Sequence, residues 1–369
     1  MPSPGRERPT RLPLIIAASL AIALAMPGAA VADETAYQFG APVFDIAATP
    51  RGGILVSEGN TIREIFRGSV RSVTEVPVPP TDPPSLVNGL VAVGARTFYA
   101  TSGGGDLAEG AALWRGGPGG VRLVADITAF ETQSDPDVLE GPQWKHPDCE
   151  AIPPFNAGPQ SNPYHLTRRT GNETLVADAA GNTLLSARGN GRVDLVAVFT
   201  PPVDESGKFR TLFPLDAETD CYVQPVPTAV DIGPDGAYYV GELTGAPAVP
   251  GWSRVWRIRN GSSNIVCPSA GCTEVLSGLT SVIDLEFAPD GYLYVVEYDQ
   301  AGWLAAVTGA GSGGAIKRCD VETGSCSIVQ DGLLLPGALT WDKWGGLWLL
   351  EDNLGVGGGP TVYRLALPD

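Results

Sequence analysis

Pro227-Thr228-Ala229-Val230, a Gly233-Pro234-Asp235-Gly236 turn, and Tyr238-Tyr239-Val240-Gly241-Glu242 form a unit that the chain repeats. Its opening phrase recurs as Val43-Phe44-Asp45-Ile46, Val87-Asn88-Gly89-Leu90, Pro163-Tyr164-His165-Leu166, Val282-Ile283-Asp284-Leu285 and Pro336-Gly337-Ala338-Leu339. Fifteen residues after each first position stands a small or acidic polar residue: Glu58, Ser102, Asp178, Glu242, Glu297 or Glu351. Self-similarity at this period marks a repeat architecture, in which no unit buries its apolar faces alone.

Each unit reads as four short strands. In the fourth these are Thr228 to Ile232, Ala237 to Val240, Val255 to Ile258 and Thr273 to Leu276, with Gly, Pro and Asn turns between them. No long helical periodicity follows residue 32. Six four-stranded units predict an all-β, six-bladed β-propeller over 33–369. An open solenoid or a two-sheet sandwich would leave the six matched units unexplained. Apolar runs at 238–240, 294–296 and 348–350 should fill the spaces between blades, and Tyr37 to Pro42 should close the ring beside Thr361 to Leu367.

Residues 1–32 read as a cleaved signal peptide. Arg6, Arg8 and Arg11 precede an apolar run from Leu12 to Ala25, and Ala30-Val31-Ala32 is a small-residue cleavage site. The run is short for a membrane span and is broken by Pro27 and Gly28. The expected product is a secreted, extracellular chain with no membrane insertion after cleavage. Losing three arginines and one glutamate, a net +2, takes the formal charge from −17 to −19. That sign repels phosphate backbones and anionic lipid, so nucleic acid is excluded as a partner class. The expectation is a monomer that meets an extracellular ligand or protein.

Six cysteines in an exported chain read as disulfides. Cys272 and Cys326 hold the same place in consecutive repeats, and each has a cysteine shortly upstream. This pairs Cys267 with Cys272 and Cys319 with Cys326, leaving Cys149 with Cys221.

In a propeller, the start of strand one and the end of strand two meet on one rim, and the long connections leave on that side too. The tight turns lie opposite. The rim therefore carries the variable segments 126–162, 200–226, 243–253, 298–313 and 352–360, and loops elaborated on a rigid scaffold commonly carry function. Glu58, Asp178, Glu242, Glu297 and Glu351 should converge there, with Ser102 as the exception. Oxygen ligands of this kind suit Ca²⁺ or another divalent cation at the channel. Equally, each carboxylate can cap the backbone of its own turn. His165 aligns with Asp45, Gly89, Ala229, Asp284 and Ala338 near the channel. It is either a weak candidate for a base or ligand, or a packed ring with one hydrogen bond. Asn162, Tyr164, His165 and Thr228 are the candidate ligand-binding residues. Neither a nucleophile elbow, nor a zinc-protease helix, nor a phosphate-binding loop is present in the sequence.

Three stretches carry a family resemblance. They are Ser161-Asn162-Pro163-Tyr164-His165-Leu166 with Leu175-Val176-Ala177-Asp178, Gly233-Pro234-Asp235-Gly236-Ala237-Tyr238-Tyr239-Val240-Gly241-Glu242, and Val282-Ile283-Asp284-Leu285 with Asp290-Gly291-Tyr292-Leu293-Tyr294-Val295-Val296-Glu297. Together they resemble the ScyD/ScyE family. The resemblance implies an exported, NHL-like six-bladed propeller and brings no established reaction. A ligand- or partner-binding scaffold using the rim is the favoured reading. The alternative is a cation-dependent hydrolytic enzyme of the lactonase or lyase kind, using some of Glu58, Asn162, Asp178, Glu242, Glu297 and Glu351.

Overall fold

Six antiparallel sheets follow one another along the chain, one for each repeat. The computed structural model describes residues 35–105, 108–139, 159–169, 171–211 and 222–367. Blade 1 opens with Val43–Ala48, blade 2 with Leu86–Ala92, blade 3 with Pro163–Arg168, blade 4 with Pro227–Ile232, blade 5 with Val282–Phe287 and blade 6 with Ala338–Trp341. The six-bladed propeller expected from the repeats is what forms. In blade 4 the strands are Pro227–Ile232, Tyr238–Glu242, Ser253–Ile258 and Cys272–Leu279, close to the predicted spans but longer at their ends.

Closure is made by the N-terminal segment. Tyr37–Gln38 pairs antiparallel with Thr361–Leu365, placing Tyr37 opposite Val362 and Gln38 opposite Thr361. Phe39 N–H then donates to the Pro360 carbonyl at 2.9 Å. This covers a strand edge that would otherwise offer its backbone to another chain.

The core is divided into six parts, one between each pair of neighbouring blades. Alternation along strand two does the dividing, since successive side chains point to opposite faces. Tyr238 and Val240 pack toward Leu175 and Phe199 of blade 3, while Tyr239 turns to Leu293 and Val295 of blade 5. Tyr294 and Val296 likewise meet Leu347 and Leu349 of blade 6. The apolar runs at 238–240, 294–296 and 348–350 therefore do fill the inter-blade spaces.

Among the described residues, a fifth strand and three short helices escape the four-strand pattern. Ile265–Cys267 adds a fifth, parallel strand to the outer edge of blade 3, against Val193–Phe199. An eight-residue helix, Ile127–Ser134, follows blade 2, with the Asp126 carboxylate accepting from Ala129 N–H at its start. Disulfides Cys267–Cys272 and Cys319–Cys326 form as the repeats predicted. Cys149, Cys221 and residues 1–32, where the sequence predicts a signal peptide, lie outside the described residues. Among the described residues, no helix is long and apolar enough to cross a membrane.

Candidate functional site

The strand-two carboxylates bracket their own blades. Glu242 is fully buried and accepts from Arg254 Nε at 2.7 Å, Arg254 Nη2 at 3.1 Å and Trp256 Nε1 at 2.6 Å. Burial pushes its carboxyl up to about 7, against the pull of Arg254 and Trp256. Glu297 accepts from Thr280 N–H and Lys317, both at 2.7 Å. Glu351 accepts from Leu334 N–H and the Tyr363 hydroxyl, both at 2.8 Å. Glu58 takes Gly40 N–H at 2.8 Å and Arg63 Nε at 2.6 Å. Asp178 takes the Ser161 hydroxyl, Asn162 N–H at 2.7 Å and Gly181 N–H at 3.1 Å. Ser102, the apparent exception, accepts from Trp114 Nε1 at 2.9 Å. Arg63, Trp114, Trp256, Lys317 and Tyr363 all come from strand three of their blades, so at five of the six positions the recurring acceptor ties strand two to strand three, while Asp178 holds the segment that leads into strand one.

The five carboxylates are absent from the groups of metal-ligating atoms that lie within 4.8 Å of one another among the described residues. One such group sits deeper in the hub, on strand one: Asp45, His165 and Asp284, from alternate blades. His165 Nε2 lies 3.4 Å from Asp284 Oδ1 and 3.7 Å from Asp45 Oδ2. These acidic groups are spaced closely enough to hold a metal ion. Val230 N–H donates to His165 Nδ1 at 3.3 Å, which assigns the proton of the neutral ring to Nε2, between the two carboxylates. A cation bound at Nε2 would have to displace that proton.

Backbone geometry explains why the hub is polar. The inner edge of each first strand has no sheet neighbour, so its N–H groups need acceptors from elsewhere. A side chain of the preceding blade supplies one at five of the six joints. Asp45 accepts from Leu90 N–H at 2.6 Å, Asp231 from Phe287 N–H at 2.9 Å and Asp284 from Leu339 N–H at 2.8 Å. His165 serves Val230, and Thr340 Oγ1 accepts from Ala48 N–H at 3.2 Å. Between blades 2 and 3, Asn88 Nδ2 donates instead to Asn162 Oδ1 at 2.6 Å and to the Pro163 carbonyl at 3.4 Å.

Concentrating four carboxylates around one imidazole shifts their titration. Burial raises Asp45 and Asp284, and His165 pulls both back. Asp231 is raised by burial to about 6, against backbone N–H bonds from Phe287 and Ile232. Glu286 is held well above the carboxylate range by burial, with Asp231 and Asp284 adding to it. Burial lowers His165, but Asp45 and Asp284 outweigh it and the net shift is upward. The hub cavity lined by His165, Asp231, Glu286 and Thr340 has about 160 Å³ of space. It is formed by the later halves of the first strands, toward the tight turns.

At the rim end, the Tyr164 ring meets Phe44 edge-on at 6.3 Å, and Thr228 Oγ1 donates to the Val282 carbonyl of the next blade at 2.6 Å. The candidate ligand-binding residues Asn162, Tyr164, His165 and Thr228 thus gather around the hub, where the polar groups of Asn162, His165 and Thr228 and the ring of Tyr164 make inter-blade contacts. Asp231 and Glu286 were missed at the sequence level. The signal was available: both hold the fifth position of the opening phrase, two residues beyond the position aligned with His165.

The rim loops of blades 4 to 6 have an unusual backbone. Val226, Thr244, Ala248, Ser281, Leu335 and Asp352 all have φ between 40° and 64°, a region most side chains avoid. Buried acids hold these loops. Asp299 accepts from Ala301, Ser312 and Gly313 N–H groups at 2.7 to 3.0 Å, and Asp352 from Val356, Gly357 and Gly359 at 2.7 to 3.1 Å. Trp303 Nε1 donates to the Thr244 carbonyl at 2.8 Å and Tyr298 Oη to Asn353 Oδ1 at 3.0 Å, each crossing to a neighbouring blade.

No protein-family model matches the sequence, and no curated protein is significantly similar to it. Solved structures share the fold. The gluconolactonase XC5397 of Xanthomonas campestris superposes with a TM-score of 0.52 at 12% identity, covering 91% of each chain. The PQQ-bound aldose sugar dehydrogenase of Streptomyces coelicolor gives 0.51 at 13% identity, over 92% of this chain and 100% of that one. The likeness is one of fold.

Proposed function

We propose that this chain is an exported, disulfide-braced propeller of the ScyD/ScyE type that holds an extracellular ligand or protein on its rim without transforming it. The observation that carries this reading is the rim backbone of blades 4 to 6. Six residues other than glycine are held there in the left-handed region. Each costs on the order of 1 kcal/mol or more, and such outliers persist where surrounding structure maintains them, commonly at binding sites. The motifs around Asn162, Asp235 and Asp284 support the family assignment, and the signal segment with two disulfides supports export. The hub acids have a structural task at the inner strand edges, and about 160 Å³ is small for an organic substrate.

The test is a screen of small molecules, glycans and secreted proteins against wild type, Asp352→Ala and Trp303→Ala. Binding that weakens in both variants while the fold is kept supports the rim site. Absence of any ligand, or binding indifferent to both variants, removes it.

The Asp45, His165 and Asp284 group specifically favours a second reading, a lactonase- or lyase-like enzyme dependent on Ca²⁺ or another divalent cation at the channel. Metal analysis decides the matter: a stoichiometric ion lost in Asp284→Asn would raise this reading above the first. Protein free of metal, with a melting temperature unmoved by chelator or added ion, would dismiss it.

A further inference from the structure

The tight-turn face, opposite the rim, has a groove between blades 4 and 5 with about 630 Å³ of space. The two most regular turns of the chain build it, Gly233-Pro234-Asp235-Gly236 and Ala288-Pro289-Asp290-Gly291, repeated at a separation of 55 residues. Each turn aspartate meets an arginine from strand three of its own blade. Asp235 Oδ2 lies 2.6 Å from Arg257 Nη2, and Asp290 Oδ2 lies 3.1 Å from Arg318 Nη2. Tyr239 and Phe287 stand edge to face at 4.8 Å along the wall, and the Arg318 guanidinium lies over the Tyr292 ring at 3.2 Å.

We propose that this groove is a second binding site, and that its ligand is a neutral saccharide of one or two rings. The half-buried rings of Phe287 and Tyr292 line the groove, Tyr292 with Arg318 stacked on one face only, and such rings suit the C–H faces of a sugar. The two carboxylate–guanidinium pairs are already compensated in charge, so they need no counter-ion from a ligand. Asp235 and Arg257, which both line the groove, set an acceptor edge beside a donor edge, the pattern that adjacent hydroxyls satisfy, and Asp290 adds a second acceptor. Asp320 and Glu322 add two further carboxylates at the mouth, which turns away phosphates, nucleotides and acidic sugars. The volume falls in the range of small-molecule sites, about 300–1,000 Å³. None of these residues belongs to the rim, and only the Phe287 backbone N–H, not its ring, takes part in a hub joint, so the site stands independently of the rim's ligand.

Calorimetric titration with cellobiose, maltose and di-N-acetylchitobiose tests the assignment, using wild type, Tyr292→Ala and Glu322→Trp. Glu322 is exposed, so the tryptophan obstructs the groove without touching its floor. Wild type should show saturable binding of at least one disaccharide, weakened about tenfold or more in both variants, as loss of a central contact produces. Melting temperatures should stay near that of wild type, and Glu322→Trp keeps the test valid should Tyr292→Ala fold poorly. Failure of all three sugars to saturate, or equal binding by wild type and Glu322→Trp, overturns the proposal. Choline binding that disappears at high salt while the sugars fail also overturns it, because the groove would then be a cation site.

Discussion

Replacing Arg254 with methionine isolates the value of one strand bracket. Arg254 is 6% exposed and faces a fully buried Glu242, and its guanidinium also donates to the Thr200 carbonyl at 2.6 Å. Burial raises Glu242 to about 7 even against the pull of Arg254; without that pull the carboxyl rises further, so at pH 8 the variant must either keep an unpaired charge inside blade 4 or take up a proton at a cost in stability. Removing one partner of such a pair costs about 3–5 kcal/mol. At about 2–4 °C per kcal/mol for a chain somewhat smaller than this one, the melting temperature should fall by roughly 10 °C. Adding Glu242→Gln should recover part of the loss, since the stranded charge is gone, and the singles should therefore not add. The Arg254→Met deficit should also shrink at pH 5.5, where Glu242 can take up a proton. Calorimetric melts of wild type, both singles and the double at two pH values measure all of this. A loss below about 1 kcal/mol, or strict additivity, refutes the bracket. So does loss of a bound divalent ion from Glu242→Gln without a change in stability.

Four further outcomes follow from the buried acids, the inter-blade core and the closure. Asp45, Asp231, Asp284, Glu286 and His165 all have folded values above their unfolded ones, so the stability they contribute is present at low pH and lost as pH rises through those folded values. The melting temperature should therefore fall between pH 5 and pH 8 at constant ionic strength, more gently in Asp231→Asn, and a rise over that window would contradict the assignment. Below about pH 4 the sign reverses, because Glu58 is held below its ordinary value chiefly against burial by Gly40 N–H and Arg63 and loses its contribution as it protonates. Trp256→Ala empties a site that is 1% exposed and should cost about 3–5 kcal/mol by chemical denaturation; a cost under 1 kcal/mol would show that blades 3 and 4 do not share that core. Substituting Pro for Gln38 should weaken closure against Thr361, lowering the melting temperature and promoting association through the freed edge, which light scattering would detect.

The repeat made the fold legible because every blade must solve the same packing problem. Tyr238 and Tyr239 could be assigned to opposite interfaces from period two alone, and Cys272 and Cys326 could be matched to Cys267 and Cys319 because their repeats align. The fifth strand, Ile265–Cys267, was not legible: it is three residues long and docks on the neighbouring blade, so no local pattern encodes its partner. The helix Ile127–Ser134 falls in a segment specific to one joint, where repetition offers no guide. For the site, the alignment of His165 with Asp45 and Asp284 was visible, but what they bond to was not. Acidic residues at strand ends look alike in sequence whether they face an axis or an arginine on the next strand.

That ambiguity has a physical resolution in the inner strand edges. A propeller leaves six backbone edges facing its axis, each with N–H groups that no sheet neighbour can satisfy. A short side chain from the preceding blade is well placed to accept them, and Asp45, Asp231, Asp284, His165 and Thr340 do so. Polar residues at the hub are thus required by architecture before any ligand is considered. Their negative charge is then moderated by raised carboxyl values and by one imidazole shared across alternate blades. The joint between blades 2 and 3 departs from the rule, with Gly89 at the aligned position and the Asn88–Asn162 pair in place of a backbone clasp. An alanine Cβ at Gly89 would come within 2.7 Å of Leu166 Cδ2 and Thr101 Oγ1, so the two blades approach too closely there for an acidic side chain. Tight packing at that joint explains both the missing clasp and the need for an asparagine pair one residue toward the rim.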